Sequence, residues 1–508
     1  MHPPRVQNPN PFISLKYTIE DHQFYQKQKK KKKRWMDTRS KSMRVVMFPW
    51  LAHGHISPFL ELAKSLAKRN FVTYICSSQI NLDFIKADLS PKDSISIKLV
   101  ELHIAATPEL PPPLHTTNGL PPHLMAPLKR ALDQARPSFS TLLTTLKPDL
   151  LLYDFLQPWA PEAAPNIPAV LFYPAGAAAF SLLAHHWFGN PSDHYPFPAI
   201  YFRENEHSLF DRLVNSAGTD TADHLRVQDC IRRSSEIVLI KTFREIEGKY
   251  VHLLSELTRK KFVPVGPLVQ EIGQTAEKKE NEEMIMEWLD RRDRRSTVFA
   301  SFGSEYFLSE SEVEEIAHGL EMSGVSFLWV VRFPAGERRT VGEKLPEGFL
   351  ERVGERGMVV EGWAPQRRIL SRPSVGGFMS HCGWSSVMEG AYCGVPIIAV
   401  PMHLDQPLNA RLVEEVGIGE EVVRLEREEV ARVVRKVVVE RSGEGVRRRA
   451  AEMGERMREK GEAEVDGVVE EVVRLCRKDR FNLDSENSME RLDVMAEENT
   501  QRMLSENT

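Results

Sequence analysis

Short runs of β-branched and other apolar residues recur along this chain, most of them followed by a stretch with amphipathic-helix spacing. A first series comprises 43–50 (MRVVMFPW), 71–78 (FVTYICSS), 95–102 (ISIKLVEL), 148–154 (PDLLLYD) and 168–174 (PAVLFYP). A second comprises 296–304 (STVFASFGS), 326–332 (SFLWVVR), 357–363 (GMVVEGW), 375–381 (VGGFMSH) and 395–402 (VPIIAVPM). Strands too apolar to have a wet face, alternating with helices, call for a parallel sheet covered on both sides. Two series call for two such sheets. The expected architecture is therefore α/β: two Rossmann-like domains facing one interdomain cleft.

The breaks in this pattern give the boundaries. Residues 1–42, with the basic run KQKKKKKR at 27–34, read as a disordered extension. The first domain spans 43–262, and 263–283, rich in glycine, charge and amides, reads as a linker. The second domain spans 284–460, a final helix over 461–478 crosses back over the cleft, and 479–508 form a loose polar tail. Within the first domain the loop LAHGHI (51–56) precedes a helix with Ser57 at its N-cap and Pro58 at its first position. In the second, SESEVEEIAHGLEMSG (309–324) is an amphipathic helix closed by Gly324.

At 508 residues, 42% apolar and 27% charged, the composition is that of an ordinary globular protein of two or three domains. A net charge of −4 and a pI near 6.5 point to neither a nucleic-acid nor a membrane partner. No run reaches the ~18 apolar residues of a membrane span, and no secretory signal fits. The five cysteines (Cys76, Cys230, Cys382, Cys393 and Cys476) are odd in number and scattered, with no CxxC pair. That argues against a disulfide framework and against zinc, and for a reducing compartment, the cytosol. Cys382 adjoins a histidine, as a thiol nucleophile would, but reads more simply as a small buried apolar residue.

Ligands of open parallel sheets bind outside the carboxyl ends of the strands. That rule selects His53, His55, Asp154, Ser304, Trp363 to Gln366, and His381 to Ser386. The loop after residue 380 reads HCGW and opens a helix, SSVMEGAYC, that stops at Gly394. The unpaired N–H groups and dipole of a helix N-terminus attract phosphate. Ser385 and Ser386 add hydroxyls, His381 a further donor, and Gly383 lets the backbone come close. Ser386 and Glu389 equally fit an S-x-x-E capping box, and taken alone the two readings balance. Trp363, Gln366, Asp405 and Gln406 end neighbouring strands. An aromatic face, an amide, an anion site and a carboxylate together describe a nucleotide-sugar pocket. The rival, an NAD(P) oxidoreductase, needs G-x-G-x-x-G after the first strand, where this chain reads PWLAHGHISP.

The stretch from Trp363 to Gln406, WAPQRRILSRPSVGGFMSHCGWSSVMEGAYCGVPIIAVPMHLDQ, resembles the signature box of plant secondary-product UDP-glycosyltransferases, and the resemblance extends over about 43–478. It implies the two-domain GT-B fold, with acceptor bound by the first domain and UDP-sugar by the second. It also implies transfer to a small acceptor with inversion and with no metal or cofactor, UDP-glucose being a co-substrate. By position, Trp363 would stack on uracil, with Ala364 and Gln366 bonding base or ribose and Glu389 holding the ribose hydroxyls. His381 and Ser386 would meet the phosphates, with Ser304 nearby, while Trp384, Asp405 and Gln406 would line the sugar. Gln406 goes with glucose in that family. The family's usual HCGWNS here has Ser385 for the asparagine, a shorter reach that bears on donor affinity.

Inverting transfer needs a base for the acceptor hydroxyl. A histidine titrates near neutrality, and a buried carboxylate on its other nitrogen orients it. Alone, His55 reads as a polar loop residue and Asp154 as a strand-end cap. The resemblance makes them base and partner, with His53 a loop residue. His115 and the aromatic- and histidine-rich run 184–198 read equally as acceptor contacts or as ordinary loops. LELAKSLAKRNF, LHTTNGLPPHLM, YDFLQPWAP and FGSEYF resemble the branch of glucosyl-crocetin β-1,6-glucosyltransferases. That implies a small glycoside acceptor and a β-linked, sugar-on-sugar product. An aglycone hydroxyl, or a non-catalytic UDP-sugar-binding relative, is the alternative.

Overall fold

The computed structural model describes residues 24–25, 42–190, 192–215, 223–270, 279–303, 306–333 and 340–505, with the backbone alone at 215, 279–280 and 479–505. Ser304 lies outside the described residues.

Two parallel sheets form the molecule. The first comprises β1 (Met43–Phe48), β2 (Phe71–Ser77), β3 (Ile97–Glu101), β4 (Leu150–Tyr153), β5 (Ala169–Tyr173), β6 (Ile237–Ile240) and β7 (Lys261–Pro264), in the order β3-β2-β1-β4-β5-β6-β7. The second comprises β8 (Thr297–Ser301), β9 (Ser326–Val331), β10 (Gly357–Glu361), β11 (Val375–Ser380), β12 (Ile397–Ala399) and β13 (Gly419–Glu421), in the order β10-β9-β8-β11-β12-β13. Alternate residues of one strand feed different cores, as a sheet covered on both faces requires. Val46 and Phe48 join one cluster and Val45 and Met47 another; Val298 and Ala300 part from Phe299 in the same way.

Both sheets reverse their winding beside the first strand of the series, between β1 and β4 and between β8 and β11. Those are the switch points at which crevices open. The register Phe48↔Tyr153 brings the ends of β1 and β4 level, and Ser301↔Ser380 does the same for β8 and β11. The residues after these four strands therefore border the cleft.

Several boundaries differ from those read in the sequence. The first helix begins at His53, not at Ser57, and keeps Pro58 inside it. His55 and Ile56 both donate to the Ala52 carbonyl (3.0 and 2.9 Å), so the N-cap is Ala52 instead of Ser57 and the helix starts five residues earlier. The linker expected over 263–283 is shorter. Val263 and Pro264 close β7, and a helix starts at Lys279. The final helix runs Glu444–Ser505, past both expected limits of 461 and 478. Beyond Gly467 it meets neither glycine nor proline, the residues that stop helices. Within the expected disordered extension, Tyr25 is buried and donates to Glu464 Oε1 (2.8 Å). The helix at 309–324 is as expected: Ser309 and Glu312 form a capping box, and Gly324 closes it with φ 69°.

One apolar cluster unites the domains. It joins Phe48, Tyr153 and Ala177 of the first to Cys382, Trp384, Met388 and Met457 of the second. The last helix then continues onto the opposite face of the first sheet through Val468, Val472 and Cys476.

Candidate active site

His55 lies in the first turn of the helix His53–Ala67, and Asp154 directly follows β4. His55 Nδ1 is 2.9 Å from Asp154 Oδ2 and 3.1 Å from Oδ1. Asp154 is fully buried and also accepts the backbone N–H groups of Trp50 (3.1 Å) and Phe155 (2.7 Å). Its carboxylate is thus fixed from three sides. A carboxylate only accepts, so Nδ1 carries the proton and Nε2 is the basic nitrogen. The Phe155 ring packs against the imidazole, 5.0 Å between centroids. His53 turns the other way and stacks on Phe84 (3.8 Å).

Across the cleft, the helix Trp384–Cys393 has Gly383 at its N-cap. No side chain caps it, and no acidic residue sits in its first turn. Ser386 is the third helical residue rather than the cap, and its hydroxyl receives Gln366 Nε2 (3.3 Å). The capping-box reading therefore fails, and the helix N-terminus keeps its donors for something else. His381 is wedged beside it. A Cβ on Gly303 (φ 79°) or on Gly383 would come within 2.6 Å of His381 Nε2, so only glycines admit this imidazole between the two loops. Burial, and then nearby His403, lowers its pKa to about 4, which leaves it neutral at pH 7. Cys382 is held in the left-handed region (φ 64°) and fully buried. Burial pushes its thiol pKa up, so it is no nucleophile.

The helix terminus opens on a cavity of about 340 Å³ between the domains. Trp363, 44% exposed, stands on its wall with Ala364 and Gln366. Gln366 Nε2 donates to Glu389 Oε2 (3.0 Å), and burial raises the Glu389 pKa against the opposing pull of Gln366, Lys241 and Arg367. Ser385, Ser386 and Glu389 line the same space, as do His53 and Gly54. Trp384, Asp405 and Gln406, expected beside the sugar, are not on this wall, and His381 and Gly383 stand behind it. Trp384 is turned into the first domain. Gln406 accepts the N–H groups of Met402 and His403 (3.0 Å each), and Asp405 accepts from Asn409 (2.9 Å). Asp405 and Asp154 both act on Tyr173: after burial, the charge of Asp405 and then that of Asp154 push its hydroxyl pKa up. His115 is a structural residue, buried with Nε2 3.2 Å from the Leu110 carbonyl.

Two family models match the chain: "Glycosyltransferase, N-terminal domain" over 41–270 and "UDP-glucoronosyl and UDP-glucosyl transferase" over 240–444. Over 455 residues the chain is 53% identical to UDP-glucosyltransferase 29 of Panax ginseng, covering 87% of this chain and 99% of that protein. The chain belongs to the UDP-glycosyltransferase family. A second relative of this UDP-glycosyltransferase is a beta-D-glucosyl crocetin beta-1,6-glucosyltransferase of Gardenia jasminoides, 51% identical over 439 residues (84% of this chain, 98% of that one). A crystal structure of Glycyrrhiza uralensis UGT73P12 with glycyrrhetinic acid 3-O-monoglucuronide has a TM-score of 0.75 at 22% identity, covering 89% of this chain and 99% of that one. At that identity the likeness speaks to the fold alone, which is GT-B.

Sequence reasoning passed over two cavity residues of this UDP-glycosyltransferase. Lys241 follows β6, and Arg332 follows β9 with Nε on the Gly362 carbonyl (3.0 Å). The strand-end rule would have selected both. Arg332 ends the run SFLWVVR and reads as part of the strand, and β6, only four apolar residues long, does not stand out in the pattern.

Proposed function

We propose that this UDP-glycosyltransferase transfers glucose from UDP-glucose, with inversion, to a hydroxyl of a small plant glycoside, giving a β-linked sugar-on-sugar product. The observation that carries the reading is the 2.9 Å contact between His55 Nδ1 and Asp154, next to Gly54, which lines one cavity with Ser385 and Glu389. In this reading the acceptor O–H gives its proton to His55 Nε2 as its oxygen attacks the anomeric carbon. The bond from that carbon to the β-phosphate oxygen breaks, and UDP leaves with the electron pair. Asp154 orients the imidazole and stabilises its charged form. The diphosphate lies on the first turn of the helix Trp384–Cys393, with His381 and Ser386 beside it. Trp363 stacks on uracil, Ala364 and Gln366 bond base or ribose, Glu389 takes the ribose hydroxyls, and Asp405 and Gln406 take those of glucose.

The glycoside acceptor is supported by the Gardenia relative, whose name states a glucosylated acceptor and a β-1,6 product. No metal or cofactor has a role in this scheme. We place the enzyme in the cytosol, a reading supported by its five cysteines, none of which forms a disulfide. No described helix is long and apolar enough to cross a membrane.

The test is mass spectrometry of products from the full chain, UDP-glucose and a panel of aglycones with their monoglucosides. Hexose addition to the monoglucosides is the expected result. Addition to bare aglycones alone would overturn the acceptor, and no addition to any compound would overturn the reaction.

A further inference from the structure

Lys241 closes the carboxyl end of β6 in the first domain, yet its ammonium belongs to the donor side of the cleft. Nζ donates to Ser385 Oγ over 2.7 Å, in the first turn of the helix Trp384–Cys393. The residue is 3% exposed and lines the cavity shared with Trp363, Ser386 and Glu389. Among the described residues no carboxylate comes within ion-pair distance of it. Glu389 and Glu61 act on it only through space. A buried ammonium whose one hydrogen-bond partner is a neutral hydroxyl is costly unless an anion completes the site. Here it stands beside the unpaired N–H groups of a helix terminus, where an anion is already favoured.

We propose that Lys241 is a ligand for the donor diphosphate, a cation reached across from the acceptor-side domain to pair with the bound UDP group and its departing charge. The proposal rests on the nucleotide reading of the cavity given above. It also accounts for Ser385. A hydroxyl one atom shorter than the asparagine usual at this place leaves the helix terminus open to an incoming ammonium. The missing amide donor is then replaced by a charged one from the other domain, and a charged donor binds phosphate more strongly. Burial holds the Lys241 pKa down to about 8, which still leaves the group mostly protonated at neutral pH. Bound phosphate would raise it. Because Trp384 Nε1 holds the Lys241 carbonyl at 2.6 Å, the backbone that aims this side chain is fixed by the same helix.

The test compares UDP with uridine as calorimetric ligands of the full-length wild-type chain, Lys241→Met and Lys241→Gln. The glutamine variant keeps a donor for Ser385 without the charge, and serves if the methionine variant does not fold. The expected result is a loss of about tenfold or more in UDP affinity with uridine affinity unchanged, since only UDP carries the diphosphate. Equal loss for both ligands, with a lowered melting temperature, would make Lys241 structural and overturn the proposal. Wild-type affinity for UDP in the glutamine variant would overturn it too. Failure of the wild-type chain to bind UDP would instead overturn the nucleotide reading itself, and this proposal with it. A wild type that binds UDP but glucosylates nothing leaves the comparison readable.

Discussion

The indole N–H of Trp384 donates to the carbonyl oxygen of Lys241 over 2.6 Å, and the same indole lies 3.1 Å from where a Cβ on Gly176 would be. One side chain thus locks the donor-side helix to the end of β6 and to the start of the helix Ala177–Phe188. Trp384→Phe keeps a ring but deletes the donor, leaving a buried carbonyl unpaired. The expected loss is about 1–3 kcal/mol of stability, read from the urea midpoint. An unchanged midpoint would remove this joint from the account.

His55→Ala should lower turnover by about 10²–10⁴-fold, the usual span for a general base. UDP affinity, measured by calorimetry, should stay near wild type, because the proposed nucleotide contacts lie on the second domain and at Lys241, and His55 is not among the residues that line the cavity. A loss of UDP affinity as large as the loss of turnover would contradict the assignment.

Glu389→Ala removes one of the two acceptors of the Gln366 side chain and, in the proposed pose, the holder of the ribose. Binding of UDP-sugar should weaken by about 1–3 kcal/mol, with a melting temperature close to that of wild type. A lowered melting temperature with unchanged affinity would instead make the residue a support for its helix.

His381 gives the acid limb of stability a cause. Its folded pKa of about 4 lies below the ordinary 6.5, so the unfolded chain takes up this proton first. Folding should therefore lose stability as the pH falls from 6.5 through 4 and be insensitive to this group above 6.5. His381→Gln should flatten that part of a stability–pH curve measured by urea unfolding. The same slope in the variant would exclude His381 as its source.

Much of this was legible in the sequence because strand ends concentrate function. The strand-end rule selects His55 and Asp154 and makes their contact feasible, while the family resemblance pairs them; the HCGW loop stands out by the helix it opens. What was missed depends on contacts between distant segments. Pro58 looks like a helix start because proline suits a first turn. Instead the helix runs five residues further back and tolerates one missing N–H, which puts His53 and His55 on its opening turn. β13 reads GEE and has no apolar pattern; the backbone ladder with β12 alone makes it a strand. Trp384 is expected beside the donor sugar, but its indole packs against Gly176 of the other domain and bonds the Lys241 carbonyl, contacts that the sequence does not show. Ser385 could be noted as a substitution, yet its partner Lys241 is 144 residues away.

The helix Glu444–Ser505 has one stretch seated in the core that joins the domains, at Ala450, Met453 and Met457, and the next in the core behind the first sheet, from Val468 to Cys476. Between them Gly461 rides on Pro267, with only 3.2 Å for a Cβ. A continuous rod anchored at both places makes the two sheets poor candidates for independent melting. Fraying either anchorage strips apolar cover from the other, so the halves should lose structure in a single cooperative transition. Nucleotide bound on one side of the cleft would then slow amide exchange in the sheet on the other side.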